Sequence, residues 1–428
     1  MRLGGRLAAA IEVLEDIERR HRPAAEALKD WGLSHRFAGA GDRAAIGNIV
    51  YDALRRKRSA GWLLDADTPR ALGFGALLLE WRETAQSLNG ALDRDKFGPT
   101  LLDDDEIKTI ASRPLETAPD AVRADCPDWC VPLLEQAFDG DWVAEGAALS
   151  TRPPLDLRVN TLKANRDRIL VELSGMGAAA TSLAPHGIRI PPIDGSGRHP
   201  NVQAEPAFQK GWFEVQDEGS QVAAMLAGAA PGMQVLDYCA GAGGKTLALS
   251  AAMENRGQIF AYDSEKVRLA PIFDRIRRSD NRNIQVLSKP AELAGLADHM
   301  DIVLIDAPCT GSGTWRRRPD AKWRLTQRQL DVRIAEQMAI LDAAKDYVKP
   351  GGLLAYITCS VFDAENRHQI EAFLARNAGF AAVDHQRLWD ERFGGENKAA
   401  RIDAERGISL TPAMSETDGF FFSAVRRV

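Results

Sequence analysis

The chain has 428 residues, of which 45% are hydrophobic and 27% charged, and its formal net charge at pH 7 is −6. This length is too great for one ordinary hydrophobic core, so the composition predicts a globular protein of two or three domains. The acidic balance excludes a general attraction to nucleic acid, which would have to come from local basic patches, and no apolar run approaches the roughly 20 residues that a membrane helix needs.

The first 145 residues are predicted to be helical. Apolar residues recur at helical spacing near the N-terminus and again in a second helix around residues 46–54, which Asp42 could cap. This second helix ends in the cations Arg55, Arg56, Lys57 and Arg58. We favour a solvated helix end, stabilised by the helix macrodipole, over the alternative of phosphate contact.

The cysteine count and the N-terminal residues indicate the compartment. The five cysteines are sparse and odd in number, and Glu12 and Glu15 come too early for a signal peptide. Both features predict reduced thiols and a cytoplasmic protein. Cys126 and Cys130 are four residues apart, but no second pair or histidine cluster accompanies them, so we expect no metal site.

A small α/β unit follows a proline-containing linker at residues 151–154. Residues 155–160 alternate as a strand, residues 166–173 are predicted as a helix, and residues 188–190 as a further strand. A glycine- and proline-rich loop comes next, and then another helix opens, for which Ser220 could act as the cap.

The glycine loop after residues 233–237 is typical of a nucleotide-binding turn. A short apolar strand breaks at three glycines and continues into a helix, so Cβ atoms are absent and unpaired N–H groups are available. Either a phosphate or the methionine and ribose parts of S-adenosylmethionine would fit. A phosphate loop needs glycine six positions before Lys245, where this chain has Cys239. The loop comprises Cys239, Ala240, Gly241, Ala242, Gly243, Gly244 and Lys245.

An acidic residue at the end of the next predicted strand favours S-adenosylmethionine as the ligand. Asp263 follows the apolar segment 258–262 and lies 20 residues after Gly243, the distance expected for a carboxylate that holds ribose hydroxyls. A glycine turn alone requires no ligand, but the acid at this distance makes a ligand site the better interpretation.

Strands and helices alternate from residue 230 onwards. The predicted strands cover residues 233–237, 258–262, 283–287, 302–306 and 353–358. This alternation predicts an α/β fold with a doubly wound, Rossmann-like parallel sheet, in which ligands bind at the carboxyl ends of the strands.

Two cysteines follow strand ends on this same edge. Cys309 comes three residues after Asp306, and Cys359 follows the last predicted strand. One such cysteine is usually a small buried hydrophobe, but two beside an aspartate and a methyl-donor site indicate chemistry. Methylation at carbon 5 of a pyrimidine requires a thiolate, because carbon 5 becomes nucleophilic only after the thiolate adds to carbon 6. Asp306 could stabilise the adduct at ring N3, and a second group must remove the carbon-5 proton.

At these residues the sequence resembles the RNA (cytosine-5) methyltransferases of the RsmB/NSUN type. The resemblance rests on residues 237–246, on Asp306-Ala-Pro-Cys309, and on Tyr356-Ile-Thr-Cys359-Ser360 followed by Glu365-Asn366. Shorter matches lie at residues 158–160, 316–324, 349–352 and 418–421, so the resemblance spans residues 151–428. The helical N-terminal part resembles the NusB-related RNA-binding domain of bacterial members.

The resemblance implies a role for each residue. Cys359 would be the nucleophile at carbon 6, and Cys309 would assist proton removal or product release. The segment Cys239 to Lys245, together with Asp263, would hold S-adenosylmethionine, and Asp306 would lie between cofactor and base. DNA cytosine methyltransferases attack with the cysteine of a Pro-Cys motif, which would be Cys309 here, but the Thr-Cys-Ser context favours Cys359.

Two positions depart from the family pattern. Members usually have Ala-Pro where this chain has Gly241-Ala242, and we expect binding to survive because proline contributes no donor. The family's acidic residue after the third strand is missing near Ser288, which leaves the adenine contact unassigned.

A basic run interleaved with two tryptophans follows Cys309. Its cations are Arg316, Arg317, Arg318, Lys322 and Arg324. Beside the predicted active site they are expected to form a groove for an RNA backbone, and a cytosine within a stem would have to be unstacked first.

We therefore predict three domains: a helical NusB-like RNA-binding domain at residues 1–145, a small α/β RNA-binding subdomain at 151–210, and a catalytic domain at 211–428. The predicted substrate is RNA, with ribosomal RNA favoured over transfer RNA, and the predicted oligomeric state is a monomer. The competing hypothesis is a non-catalytic RNA-binding factor for ribosome assembly. The intact pair of motif cysteines argues against it.

Overall fold

The computed structural model describes residues 1–428. Its N-terminal part is helical as predicted, because recurrent apolar side chains give each longer helix one buried face. Leu7, Ile46 and Phe74 lie at the centre of this core. The helices are α1 (Leu3–Arg20), α2 (Ala24–Ser34), α3 (Ala40–Arg55), α4 (Lys57–Leu64), α5 (Pro69–Glu80), α6 (Ala85–Leu92), α7 (Asp104–Ser112), α8 (Asp120–Arg123), α9 (Val131–Phe138) and α10 (Trp142–Ala148).

The start of α3 differs from the prediction. The helix begins after Gly39 without a side-chain cap, so the prediction that Asp42 caps it is wrong. The Asp42 carboxylate instead accepts a hydrogen bond from the Met1 ammonium at 3.0 Å and pairs with Arg6 at 2.9 Å. These ion pairs join the first turn of α3 to the N-terminal helix.

The cations at the end of α3 are not a solvated helix end. The Arg55 side chain is buried and pairs with Asp52 at 2.9 Å. Arg56 pairs with Glu80 at 3.3 Å and with Asp125 at 3.0 Å. The favoured interpretation is therefore wrong for Arg55 and Arg56, since internal carboxylates, rather than water or phosphate, surround these guanidinium groups.

A small antiparallel sheet confirms the predicted α/β unit. Its strands are β1 (Leu155–Val159), β2 (Ala179–Ala180), β3 (Gly187–Ile190) and β4 (Phe213–Val215), in the order β2-β3-β1-β4. Two helices accompany the sheet, α11 (Arg166–Glu172) and α12 (Pro206–Gln209). Leu157, Ile169, Ile188 and Phe213 are buried between these elements.

A large mixed sheet contains all five strands predicted after residue 230. It consists of β5 (Gln234–Asp237), β6 (Gln258–Tyr262), β7 (Ile284–Leu287), β8 (Met300–Asp306), β9 (Val348–Thr358), β10 (Phe380–Ala382), β11 (Arg401–Asp403), β12 (Gly407–Leu410) and β13 (Phe420–Arg427). The order is β11-β12-β13-β9-β8-β5-β6-β7, and β10 pairs with β13. Strands β5 to β9 pair with one another in parallel, as the doubly wound prediction requires. The antiparallel extension through β13 was not predicted.

The helices of this second region follow the strands. They are α13 (Glu218–Leu226), α14 (Gly244–Ala252), α15 (Lys266–Leu269), α16 (Ile272–Ser279), α17 (Pro319–Arg324), α18 (Gln327–Ala344), α19 (Arg367–Arg376), α20 (His385–Phe393) and α21 (Pro412–Ser415). The cap of α13 is Asp217, whose carboxylate accepts from the Gly219 amide at 2.8 Å, so the prediction of Ser220 as its cap is wrong. No helix of the chain combines the length and apolar character needed to cross a bilayer.

The chain forms two compact units that alternate along the sequence. Unit 1 comprises Met1–Pro153, Pro192–His199 and Thr314–Leu325, and unit 2 comprises Pro154–Pro191, Pro200–Gly313 and Thr326–Val428. Both sheets therefore belong to unit 2. The boundaries of the three predicted domains stay predictions.

Candidate active site

The glycine loop joins β5 to α14 in the predicted way. Gly241 and Gly243 have φ angles of +50° and +81°, which disfavour any side chain. A Cβ atom on Gly243 would lie 2.4 Å from the Ile272 Cγ1 atom, so glycine is required there by space as well as by backbone conformation. Ile272, the first residue of α16, therefore packs directly against the loop. The loop leads into α14, whose first amide groups are available to a ligand.

Asp263 lies at the carboxyl end of β6 and reaches back to the glycine loop. Its Oδ2 atom accepts a hydrogen bond from the Gly241 amide at 3.0 Å, and Oδ1 accepts from the Glu265 amide at 2.9 Å. The residue is only 2% exposed. Because each carboxylate oxygen has two lone pairs, acceptor capacity remains for the hydroxyl groups of a ligand.

Asp237, at the end of β5, is a buried carboxyl group to which the sequence motifs gave no separate role. The Thr246 hydroxyl donates to its Oδ2 atom at 2.7 Å, while Oδ1 is buried without a hydrogen-bond partner. Burial raises the pKa of Asp237 to about 7. An unpaired buried acceptor fits a ligand with a cationic or hydroxyl donor, such as the amino-acid part of S-adenosylmethionine.

Lys245 is directed toward a carboxylate. Its ammonium group forms an ion pair with the Asp306 carboxylate at 2.7 Å, and it lies 5.3 Å from the centre of the Phe420 ring. The Lys245 side chain is nearly buried, whereas that of Asp306 is 37% exposed. This pair links the glycine loop to the carboxyl end of β8, where the motif Asp306 to Cys309 begins.

The structure brings Cys309 and Cys359 together although they are 50 residues apart in sequence. Their Sγ atoms are 3.4 Å apart, and both side chains keep partial exposure. The hydrogen bond to Cys359, reinforced by burial, raises the pKa of the Cys309 thiol well above its ordinary value. Cys309 therefore holds its proton in this pair.

The other three cysteines lie outside this pair. Burial raises the pKa of Cys239, in the glycine loop, well above its ordinary value. In unit 1, Cys126 and Cys130 are fully buried, and burial raises the pKa of Cys126 to about 11. Protonated, buried thiols are poor nucleophiles and poor metal ligands. No group of three or more histidine, cysteine, aspartate or glutamate side chains could hold a metal ion.

Glu365 connects the two cysteine-bearing segments and was missed as a functional residue. It is fully buried, and its carboxylate accepts hydrogen bonds from Thr310, from Ser360 and from Gln337. In the sequence Glu365 stood out only as part of a motif. Its spacing, five residues after Ser360, was the available signal, but its partners on two other elements became evident only in the folded chain.

The predicted RNA groove of five cations is not present in that form. The segment Thr314–Leu325 belongs to unit 1, where Arg316 is 3% and Lys322 1% exposed. The Lys322 ammonium donates to the Ser150 hydroxyl at 2.9 Å and to the Arg55 carbonyl at 3.3 Å. The physical reason for this correction is that the two tryptophans of the run are packed into the protein interior. Arg316 and Lys322, which lie next to them in the sequence, are therefore buried with them and take part in packing. Arg317, Arg318 and Arg324 keep exposed surface.

A carboxylate caps the turn that follows β7, and the position of the family's acidic residue is occupied by Ser288. The carboxylate of Glu292 accepts hydrogen bonds from the amides of Ser288 and Lys289, both at 2.8 Å. These two bonds lower the pKa of Glu292. Glu292 belongs to the following 3₁₀ turn, four residues after Ser288, and its carboxylate caps that turn.

Two family models match the chain. The model described as "16S rRNA methyltransferase RsmB/F" matches residues 224–426, and that described as "Methyltr_RsmF/B-like, ferredoxin-like domain" matches residues 126–192. The first match includes the glycine loop and both cysteines of the pair. The second includes most of the small antiparallel sheet.

Curated relatives extend this similarity. The Ribosomal RNA small subunit methyltransferase B of Pseudomonas syringae pv. tomato is 33% identical over 316 residues, covering 72% of this chain and 67% of the relative. The namesake in Enterobacter sp. strain 638 is 31% identical over 308 residues, covering 69% of this chain and 65% of the relative. A probable ribosomal RNA small subunit methyltransferase B of Synechocystis sp. is 27% identical over 464 residues, covering 98% of each.

Solved structures share the fold. The crystal structure of PH0851 aligns with a TM-score of 0.72 over 100% of both chains, at 23% identity. The structure of NSun6 from Pyrococcus horikoshii with SFG aligns with a TM-score of 0.59, covering 74% of this chain and 100% of that one, at 21% identity.

Proposed function

The chain belongs to the RsmB/F family of S-adenosylmethionine-dependent RNA methyltransferases, and we propose that it methylates carbon 5 of a cytosine in small-subunit ribosomal RNA. The observation that carries the proposal is the contact of the Cys309 and Cys359 thiols at 3.4 Å. A single thiol suffices for most nucleophilic catalysis. A reaction in which attack is followed by proton removal and elimination can use two thiols, one as the nucleophile and one as the base. The names of the curated relatives support ribosomal RNA as the substrate.

The cofactor is assigned to the loop from Cys239 to Lys245 and to Asp263. When bound, S-adenosylmethionine supplies an electrophilic methyl group. The glycine conformations, the spare lone pairs of Asp263 and the unpaired Oδ1 atom of Asp237 support this assignment. Each offers backbone approach or an acceptor, which matches a ligand rich in hydroxyl and amino donors.

Cys359 is proposed as the attacking thiolate. Its sulfur forms a bond to carbon 6 of the cytosine, and the electrons of the carbon 5–carbon 6 double bond shift through the ring towards N3. Carbon 5 becomes nucleophilic and can accept the methyl group. The pKa of Cys309 is raised by the hydrogen bond to Cys359 and by burial, so Cys309 retains its proton and leaves the attack to its neighbour.

Asp306 and Lys245 are proposed to stabilise the adduct as a pair. The sequence pointed to Asp306 as an acid for ring N3, but in the folded chain its carboxylate is paired with the Lys245 ammonium. The Asp306 carboxylate would then accept from the exocyclic amino group of cytosine. The ammonium of Lys245 would supply the proton that neutralises N3 and would take it back when the double bond between carbon 5 and carbon 6 re-forms.

Cys309 is proposed to complete the reaction. After methyl transfer carbon 5 carries both a proton and a methyl group. Cys309 first loses its own proton to solvent and then, as a thiolate, removes the carbon-5 proton. The double bond to carbon 6 re-forms, and the bond to the Cys359 sulfur breaks, which releases Cys359 as a thiolate. A raised pKa makes the Cys309 thiolate a stronger base, which suits this step.

Nucleoside analysis tests the proposal. The purified chain is incubated with methyl-labelled S-adenosylmethionine and either small-subunit ribosomal RNA or transfer RNA, and the RNA is digested for mass spectrometry. We expect label in 5-methylcytidine from ribosomal RNA, and none with Cys359→Ser. Label in another nucleoside, or in transfer RNA alone, would refute the assigned product or substrate. RNA binding without label would favour a non-catalytic assembly factor.

A further inference from the structure

The Glu365 carboxylate forms hydrogen bonds with both cysteine-bearing segments. Its Oε1 atom accepts from the Thr310 amide at 2.8 Å, and Oε2 accepts from the Thr310 hydroxyl at 2.5 Å. Oε2 also accepts from the Ser360 hydroxyl at 2.5 Å. Thr310 follows Cys309 and Ser360 follows Cys359, so one side chain holds the residue next to each thiol.

A third element strengthens this junction. The side-chain amide of Gln337, on α18, donates to Glu365 Oε1 and to the Pro308 carbonyl, both at 3.0 Å. Four donors therefore converge on the Glu365 carboxylate. A carboxylate offers about four acceptor sites, and these four hydrogen bonds satisfy them without water.

The backbone at Glu365 is itself fixed. The Tyr356 hydroxyl donates to the Glu365 carbonyl at 2.7 Å. The neighbouring Asn366 accepts from the Thr358 hydroxyl at 2.5 Å and donates to the Ser360 carbonyl at 2.9 Å. The carboxylate therefore projects from a rigid turn, anchored to the strand that leads to Cys359, and is a suitable fixed point for a second segment.

Resting on the function proposed above, we propose that Glu365 is a positioning residue that ties the Cys309 segment to the Cys359 segment and sets the separation of their thiols. The attack and elimination steps use one carbon–carbon bond of one base. Each thiol must therefore reach its own carbon without rearrangement, and a misplacement of about 1 Å costs about 100-fold in rate.

The same contact has an electrostatic consequence. The pKa of Cys309 is raised first by its hydrogen bond to Cys359, then by burial, by the charge of Cys359 and by the negative charge of Glu365. Removing the charge of Glu365 removes one of these contributions. The ionisation of Cys309 thus reports on Glu365 in a way that general destabilisation would not.

The test compares Glu365→Ala and Glu365→Gln with a control, Glu371→Gln. Glu371 lies on α19, six residues further on, where it pairs with the exposed Arg406, so its substitution removes an equal charge from the same region. The rate at which iodoacetamide alkylates Cys309 is measured by peptide mass spectrometry at pH values from 7 to 11. Steady-state kinetics are measured with small-subunit ribosomal RNA, and folding is checked by thermal melting.

We expect kcat to fall about 100-fold in Glu365→Ala, with KM for S-adenosylmethionine and RNA within about twofold of the wild type. The alkylation midpoint of Cys309, which is the pH at which its alkylation rate is half-maximal, should move to lower pH in both Glu365 variants. It should stay unchanged in Glu371→Gln. Glu365→Gln keeps the size of the side chain, so it provides the alkylation test if Glu365→Ala fails to fold.

An unchanged alkylation midpoint in a folded Glu365→Gln variant would overturn the proposal, as would an unchanged kcat in a folded Glu365→Ala variant. Alkylation requires neither RNA nor methyl transfer. A shifted midpoint in a protein whose wild type produces no 5-methylcytidine would support the junction while refuting the cytosine-5 activity, so the two failures are distinguishable.

Discussion

Lys322 is a cation that the fold has withdrawn from water. It is 1% exposed and lies 4.9 Å from the Trp323 ring centre, and its ammonium donates to Ser150. Burial lowers the pKa of Lys322 from its ordinary 10.5 to about 8. A basic run in a sequence therefore does not identify a basic surface.

We predict that Lys322 makes stability depend on pH. Below pH 8 the folded chain must carry a buried ammonium, and between pH 8 and 10.5 the unfolded chain binds more protons than the folded one. The free energy of unfolding should therefore rise with pH in this window, by about 3 kcal/mol from this residue.

Denaturant titrations of the wild type and of Lys322→Met at several pH values isolate this contribution. Cysteines with raised pKa values act in the opposite sense in the same window. The contributions of Cys239 and Cys309 cancel in the difference between the two proteins, whereas those of Cys126 and Cys130 change because Lys322 lowers the pKa values of both thiols. A difference that is independent of pH between 8 and 10.5 would show that Lys322 is not the source.

Replacing each cysteine of the pair in turn should block the reaction at a different step. Cys359→Ala cannot form the bond to carbon 6, so it should give neither methylation nor covalent RNA. Cys309→Ala can still attack and accept the methyl group, but loss of its acid–base role slows elimination by about 10²–10⁴-fold. It should therefore accumulate a protein–RNA species on denaturing gels. Accumulation in Cys359→Ala instead would reverse the roles.

The glycine loop is the element whose shape most directly limits cofactor binding. We predict that Gly243→Ala weakens S-adenosylmethionine binding at least about 10-fold. The added Cβ atom would lie 2.4 Å from Ile272 at a φ angle of +81°, and such strain costs about 1 kcal/mol or more. Calorimetry measures the loss. Gly295→Ala is the matched control, because a methyl group added at Gly295 would have no atom within 4 Å. Equal affinity of Gly243→Ala and the wild type for S-adenosylmethionine would show that the loop is not part of the cofactor site.

Elements with a strong local signal were predictable. The five parallel strands of the large sheet and the glycine loop each lie within one run of consecutive residues, mostly apolar in the strands and rich in glycine in the loop. The helix caps at Asp42 and Ser220 were mistaken because Gly39 and Asp217 offered competing starts a few residues away. The separation of Cys309 and Cys359 depends on how β8 and β9 pair, which is a long-range property.

At the scale of the whole molecule, the chain enters unit 1 three times. Residues 192–199 are held there by Asn48, which donates to the carbonyls of Gly195 and Gly197 at 3.0 and 2.6 Å. Residues 314–325 are held by the contacts of Lys322 and by Trp323, which donates to the Leu54 carbonyl at 2.6 Å. Contacts between residues so distant in sequence leave no local pattern, so a division into consecutive domains could not anticipate them.

RNA binding should depend on the cations that remain exposed. We predict that replacing Arg317 and Arg318 with alanine flattens the dependence of log affinity on log salt by up to roughly two contacts. Filter binding at several salt concentrations measures the slope. Arg19→Ala with Arg20→Ala is the control, since these side chains of α1 are 71% and 60% exposed. Equal slopes for the Arg317 and Arg318 variant and the wild type would exclude this part of the run from the RNA site.

The central claim is transfer of a methyl group to carbon 5 of cytosine through the cysteine pair. Release of tritium from small-subunit ribosomal RNA carrying [5-³H]cytidine tests it most directly, because only substitution at carbon 5 displaces that hydrogen. With methyl-labelled S-adenosylmethionine, the account predicts one tritium released for each methyl group transferred, and neither event with Cys359→Ala. Methyl transfer without tritium release would place the reaction at another atom and contradict the account.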